Sequence, residues 1–209
     1  MKVLYWILRP IIVFIFRLLF PYTIIGKKKT DGTYPCVIIC NHLSNADAFM
    51  VGTCFKKKIF FYGKKEWFKN KLVGGFLKII GGVPIDRDAT DLNAIKTGFK
   101  ILKDGSSLAI FPEGTRNKTE EILLPIKGGV GMIACRAKMD VLPLWIYRKG
   151  KMFRRNYIYV GDKFSLEEFY GKKDKSEEIT AKITEKMLLT REQTLDYLKS
   201  KKKIKEVVS

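Results

Sequence analysis

From Gly26 onward the chain alternates short apolar runs, rich in β-branched residues, with stretches of helical period. No other feature constrains its fold as much. The segments "YPCVIICN" (34–41), "KIFFYGK" (58–64), "GVPIDR" (82–87), "SSLAIFPEG" (106–114), "DVLPLWIYR" (140–148) and "NYIYVGD" (156–162) read as strands. Between them, 65–79 reads as a helix weakened by Gly74 and Gly75, and 129–138 as another. Residues 90–103 form a helix with Leu92, Ile95, Phe99 and Leu102 on one face and Asp104-Gly105 as its stop. A charged helix over 176–199 and a basic tail close the chain. Strands separated by helices predict an α/β domain with a largely parallel central sheet flanked by helices.

The first 26 residues are of another kind. "VLYWILRPIIVFIFRLLFPYTIIG" (3–26) is almost wholly apolar and runs into three lysines. It has about the length that spans a bilayer, ~20 residues, yet Arg9, Pro10, Arg17 and Pro21 interrupt it. An arginine at the bilayer centre costs ~2.5–3.5 kcal/mol on insertion scales. At about 100° per residue Lys2, Arg9 and Arg17 fall within one ~80° sector. The expectation is a membrane-associating helical element over 1–26 that lies in the interface with its cations toward the headgroups, ahead of a domain over 27–209. A core helix of a soluble domain would not need large apolar residues on its other faces, and no small-residue cleavage site follows to mark a signal peptide.

Forty Lys and Arg against 21 Asp and Glu give a formal charge of +19, which implies an anionic partner: nucleic acid, an anionic membrane or a phosphorylated substrate. The cations cluster at 27–29, 56–58, 64–65, 148–155 and 201–205. The four cysteines lack zinc-ligand spacing, and one histidine leaves few other ligands, so buried free thiols in a reducing compartment are expected and no metal is implied.

That one histidine, His42, stands at the end of an apolar run and five residues before Asp47. On a continuous helix the two would point ~140° apart. They meet if His42 leaves the strand in a turn and Asp47 opens the next helix, with Ser44 or Asn45 as N-cap. A carboxylate on one ring nitrogen fixes the tautomer and frees the other nitrogen as a base. A packed histidine beside a helix-start aspartate would show the same spacing, but further polar motifs stand at neighbouring strand ends. "FPEGTRN" (111–117) brings Glu113, Gly114, Thr115 and Arg116, with a glycine for a tight turn and an arginine able to grip a phosphate. "GGVPIDR" (81–87) brings Asp86 and Arg87, and "LLPIKGGVG" (123–131) brings Lys127 before a helix start. Sites in α/β sheets lie beyond the carboxyl ends of the strands.

With these residues the chain resembles the glycerolipid acyltransferases, of the bacterial lysophosphatidic acid acyltransferase type. The resemblance rests on Asn41 to Asp47, Gly82 to Arg87, Phe111 to Arg116 and Val141 to Leu144, in the family's order over about 36–146. It implies transfer of an acyl chain from a thioester of acyl carrier protein or coenzyme A to the free hydroxyl of lysophosphatidic acid, giving phosphatidic acid. His42 would be the general base and Asp47 its orienting partner, with no covalent acyl-enzyme and Ser44 a cap. Arg87 and Arg116, assisted by Lys127, would hold the acceptor phosphate, and Glu113, Gly114 and Thr115 would shape the pocket. No cofactor is implied. The cytoplasmic face of the cell membrane, in peripheral or monotopic association, is the implied location. Two rivals stand beside this reading. One is an acyltransferase acting on glycerol 3-phosphate or another lysophospholipid. The other is a non-catalytic basic module for membrane or nucleic acid, which gives no reason for the polar residues at the strand ends; no groove-reading or base-stacking motif is present.

Overall fold

The run Val37–Cys40, four apolar residues each fully or almost fully buried, is the second strand of the sheet and shows how the domain is layered. Val37 and Ile39 face one apolar cluster while Ile38 and Cys40 face another, so helices cover both sides. The computed structural model describes residues 2–26, 30, 35–86, 91–172 and 174–201, with side chains from Leu4 onward. In chain order the elements are α1 (Lys2–Leu19), β1 (Tyr22–Ile25), β2 (Val37–Cys40), α2 (Asp47–Cys54), β3 (Phe60–Lys64), α3 (Lys71–Ile79) and β4 (Gly82–Ile85). They continue with α4 (Leu92–Lys103), β5 (Leu108–Ile110), α5 (Gly129–Ala137), β6 (Val141–Ile146), β7 (Asn156–Val160) and α6 (Ser176–Ser200).

The described strands form one sheet in the order β1-β7-β6-β2-β5-β3-β4. Every pairing is parallel except β6 with β7, which form an antiparallel hairpin. The sheet is thus largely parallel and flanked by helices, as its alternating sequence predicts. Residues from α4, α5 and α6 pack in one cluster, and those from α2 in the other. All four cysteines are free and buried.

Three details differ from the sequence reading. Tyr22–Ile25 is not part of the N-terminal helical element: it leaves α1 at Pro21 and pairs with β7 as an edge strand. On α4 the buried positions are Ala94, Gly98, Ile101 and Leu102, while Leu92 is 63% exposed. The face is centred on small residues because the helix comes close to β3. The Tyr62 hydroxyl donates to the Ala94 carbonyl at 2.9 Å, and a Cβ on Gly98 would meet that hydroxyl at 2.2 Å. Finally, the arginines of α1 do not point away from the domain. Arg9 donates to the carbonyls of Phe55 and Lys56 just past α2, and Arg17 donates to the Tyr22 hydroxyl at 3.3 Å with its guanidinium 4.9 Å from the ring centre.

Helix α1 packs through Tyr5, Leu8, Ile12, Val13 and Phe16 over α2, where Phe16 stacks on Phe49 at 5.1 Å between centroids. Its opposite face is a stripe of exposed apolar side chains at helical spacing: Leu4, Ile7, Ile11, Phe14, Ile15 and Leu18. Among the described residues no helix is long and apolar enough to cross a membrane.

Candidate active site

Strand β2 ends at Cys40 between β5 and β6, and the next two residues are fixed from both neighbours. The Asn41 amide donates to the Ile146 carbonyl at 3.0 Å and accepts from the Ile146 N–H at 2.7 Å, clamping the loop to the end of β6. His42 is clamped to the segment after β5. Its N–H donates to Glu113 Oε1 at 2.6 Å, and its carbonyl accepts from the Asn117 N–H at 2.7 Å. The loop that carries the imidazole is therefore held by both neighbouring strands before the side chain makes any contact.

His42 is 7% exposed and its imidazole stacks on Phe111, with centroids 4.0 Å apart and planes 18° from parallel. Its Nδ1 lies 2.9 Å from Asp47 Oδ2. Asp47, completely buried at the first residue of α2, also accepts from the N–H groups of Leu43 and Ser44 and from the Ser44 hydroxyl, each at 2.6 Å. Those donors hold the carboxylate in one orientation. The Nδ1 proton is then the one shared with Asp47, and Nε2 is the ring nitrogen left for chemistry. The predicted meeting of His42 and Asp47 across the strand–helix junction is present. The predicted cap is not: α2 begins after Ala46 with no side-chain cap, and Ser44 spends its hydroxyl on Asp47.

Glu113 supports the site from behind. It is 3% exposed, and its Oε2 accepts from the Leu124 N–H at 3.0 Å while Oε1 takes the His42 N–H. Burial pushes its carboxyl above the ordinary carboxylate range, opposed by those two backbone donors. Gly114 turns the chain at φ +68°, with its N–H bonded to the Phe111 carbonyl at 3.0 Å. A Cβ there would come within 2.8 Å of the Lys127 stem, so the glycine both makes the turn and leaves room for the lysine.

His42 opens into a cavity of about 800 Å³ that runs between the sheet and helices α4, α5 and α6. Ile85, Ile95, Ile110, Val130, Ile133 and Ile179 give it an apolar wall, and Lys127, Arg136 and Lys172 bring cations to it. All three cations are exposed. Arg136 and Lys172 carry no local signal in the sequence: the first is in the last turn of α5 and the second follows a distant loop. Among the described residues no three His, Cys, Asp or Glu side chains gather as a metal site requires.

Of the residues singled out from sequence, His42, Gly114 and Lys127 line this cavity, with Asp47 and Glu113 behind His42. Thr115 is exposed and Arg116 half-buried, and neither lines the cavity. Arg116 makes no hydrogen bond or ion pair with another described residue. Arg87 lies outside the described residues, while Asp86 beside it lines the cavity and lies 3.8 Å from the Lys65 ammonium.

The sequence model of the Acyltransferase family matches residues 22–147, which hold β1 through β6 and the His42, Asp47, Glu113 and Lys127 positions, while α6 and Lys172 lie beyond it. A 1-acyl-sn-glycerol-3-phosphate acyltransferase of Bacillus subtilis is 36% identical over 137 residues, covering 61% of this chain and 67% of that protein. One of Streptococcus pneumoniae is 33% identical over 110 residues, covering 52% of this chain and 40% of that one. The crystal structure of PlsC, the 1-acyl-sn-glycerophosphate (LPA) acyltransferase from Thermotoga maritima, has the same fold. Its TM-score is 0.64 at 21% identity, over 83% of this chain and 72% of that one.

Proposed function

We propose that this chain, a member of the Acyltransferase family, transfers a fatty acyl group from an acyl thioester to the free hydroxyl of 1-acyl-sn-glycerol 3-phosphate, making phosphatidic acid. The observation that carries the reading is the His42–Asp47 pair, with His42 lining a large apolar cavity edged with cations. Nε2 of His42 removes the proton of the acceptor hydroxyl as its oxygen attacks the thioester carbonyl. Asp47 stabilises the imidazolium that forms. The tetrahedral adduct collapses, the C–S bond breaks, and the leaving thiolate takes the proton back from His42. An acyl-enzyme on Ser44 is disfavoured, because its hydroxyl donates to the buried Asp47 carboxylate and not to the imidazole. Release of carrier thiol, followed with lysophosphatidic acid, glycerol 3-phosphate and a neutral monoacylglycerol in turn and with each donor, tests the assignment. Turnover that ignores the acceptor phosphate contradicts it.

In this reading Arg116 serves the acceptor phosphate, together with Arg87 and Lys127. What supports it is a half-buried guanidinium with no anionic partner among the described residues, one turn beyond Glu113. Arg116→Ala should lower kcat/KM for lysophosphatidic acid ~10- to 150-fold, the range of a lost charge-assisted hydrogen bond of ~1.5–3 kcal/mol. Arg116→Lys should recover only part of this, since the forked geometry is gone. An equal loss toward the phosphate-free acceptor would remove the assignment.

The same reading places the protein on the cytoplasmic face of the cell membrane, with α1 lying in the interface. Support comes from the outward apolar stripe, with Arg9 engaged on the carbonyls past α2 and the exposed Arg17 on Tyr22. The headgroup contacts then fall to the lysine clusters rather than to these arginines. Ile11→Asp with Phe14→Asp should release the protein from anionic vesicles at high salt, where the wild type stays bound by apolar insertion. Equal retention of both at high salt would show that α1 is no anchor.

A further inference from the structure

The cations of 148–155 are used neither by the active site nor by α1, and the structure gives them a shape. Strands β6 and β7 are joined by residues 147–155, which hold five Lys and Arg and no acid. The loop narrows to a tight turn, with Lys151 and Arg154 paired across it and Met152 and Phe153 at its apex. Both apex side chains point out: Met152 is 49% exposed and Phe153 72%. Phe153 also sits at φ +57°, a backbone conformation that turns normally give to glycine or asparagine. The exposed ring adds little packing inside the protein to offset that strain.

The turn is anchored where its position matters. The Phe153 N–H donates to the carbonyl of Leu19 at 2.7 Å, fixing the apex against the end of α1 beside the exposed Leu18. At the other side of the loop, Gly150 lies so close to the segment between His42 and Asp47 that an added Cβ would be 3.3 Å from both Ser44 Oγ and Ala46 Cβ. The loop thus bridges the outward stripe of α1 and the catalytic turn, at the carboxyl ends of β2 and β6.

We propose that the β6–β7 loop is a second lipid-contacting element, inserting Met152 and Phe153 into the interface of an anionic bilayer while Lys149, Lys151, Arg154 and Arg155 engage headgroup phosphates. It rests on the interfacial reading of α1 and adds to it a second point of contact, beside the chemistry. Apolar apex, cationic flanks and continuity with Leu18 all match a lipid surface. An acidic protein surface would satisfy the cations and leave the apex ring in water.

Because the native cysteines are all buried, an environment-sensitive fluorophore can be placed on Met152→Cys in the otherwise unaltered chain. With phosphatidylglycerol vesicles its emission should shift to the blue and be quenched by brominated acyl chains, while phosphatidylcholine vesicles should leave it unchanged. Cosedimentation of the same sample reports the α1 anchor separately. Cosedimentation with the label still aqueous overturns the loop assignment and leaves α1 standing, whereas no cosedimentation overturns both. A response to an acidic acyl carrier protein but not to vesicles would overturn it in favour of donor docking. Phe153→Gly separates the structural from the lipid role. It should raise the melting temperature by relieving the positive φ, yet weaken partitioning to anionic vesicles about tenfold, the loss of one partly inserted ring. Unchanged partitioning by Phe153→Gly would count against insertion.

Discussion

Replacing His42 by alanine should bring acyl transfer close to zero while leaving the protein folded. General-base assistance contributes ~10²–10⁴ in rate, and under the proposed mechanism the same ring, which lines the cavity, also positions the acceptor hydroxyl. The expected loss is therefore at or beyond the upper end of that range. The fold should survive because the contacts that hold this loop are made by the backbone of residue 42, whose N–H bonds to Glu113 and whose carbonyl bonds to Asn117. The ring is not the exposed imidazole that a surface base would present. It is 7% exposed and stacked on Phe111, so some stability is lost with it. His42→Gln fills more of that space and should melt closer to wild type with no more activity. Substantial thiol release by purified His42→Ala, well above the rate without enzyme, would end the mechanism.

The placement of this histidine was legible because strand, turn and helix signals follow one another within a few residues. The β-branched run of β2 ends in Asn41, and a parallel sheet carries its polar loops at the strand ends. The same signals brought Glu113 and Gly114 beside it. What failed was local detail that depends on a partner elsewhere. Ser44 has the composition of an N-cap, yet its hydroxyl goes to Asp47, because a carboxylate at the first helical position gathers the donors before it. Leu92 has the right period for a buried face, yet α4 turns its small residues inward to approach Tyr62. Arg9 and Arg17 look like headgroup ligands until β1 and the end of α2 supply acceptors for them. Pro21 was the signal that separates β1 from α1, masked by apolar residues on both sides. Cations brought to the cavity by separate elements, Arg136 and Lys172, have no signature in a linear sequence.

Asp47→Asn should reduce kcat by about 10²-fold or more and change KM for the acceptor little, with the fold intact. In serine hydrolases the equivalent exchange is costly largely because the amide favours the wrong imidazole tautomer. The geometry here argues for a different cause. Oδ2 of Asp47 accepts from the N–H groups of Leu43 and Ser44 as well as from His42 Nδ1, while Oδ1 meets only the Ser44 hydroxyl. An asparagine must keep its carbonyl oxygen at the Oδ2 position, because an NH₂ there would face two backbone donors. Its NH₂ then points at Ser44 Oγ, which can accept instead of donate. The Nδ1 proton still has an acceptor, so the tautomer is preserved, and what is lost is the negative charge that stabilises the imidazolium as the proton moves. That loss belongs to the transition state and should appear in kcat. Asp47→Ala removes the scaffold as well and leaves the part-buried donors of Leu43 and Ser44 without an acceptor. A fully buried unsatisfied donor costs ~1–3 kcal/mol, which is the upper bound for each of these, so stability should fall along with activity. Melting temperature and kcat measured on both variants separate the roles: a drop in kcat alone for asparagine and in both for alanine. Near wild-type kcat in a folded Asp47→Asn would reduce the carboxylate to a staple for the loop, and His42 would then act without a charged partner.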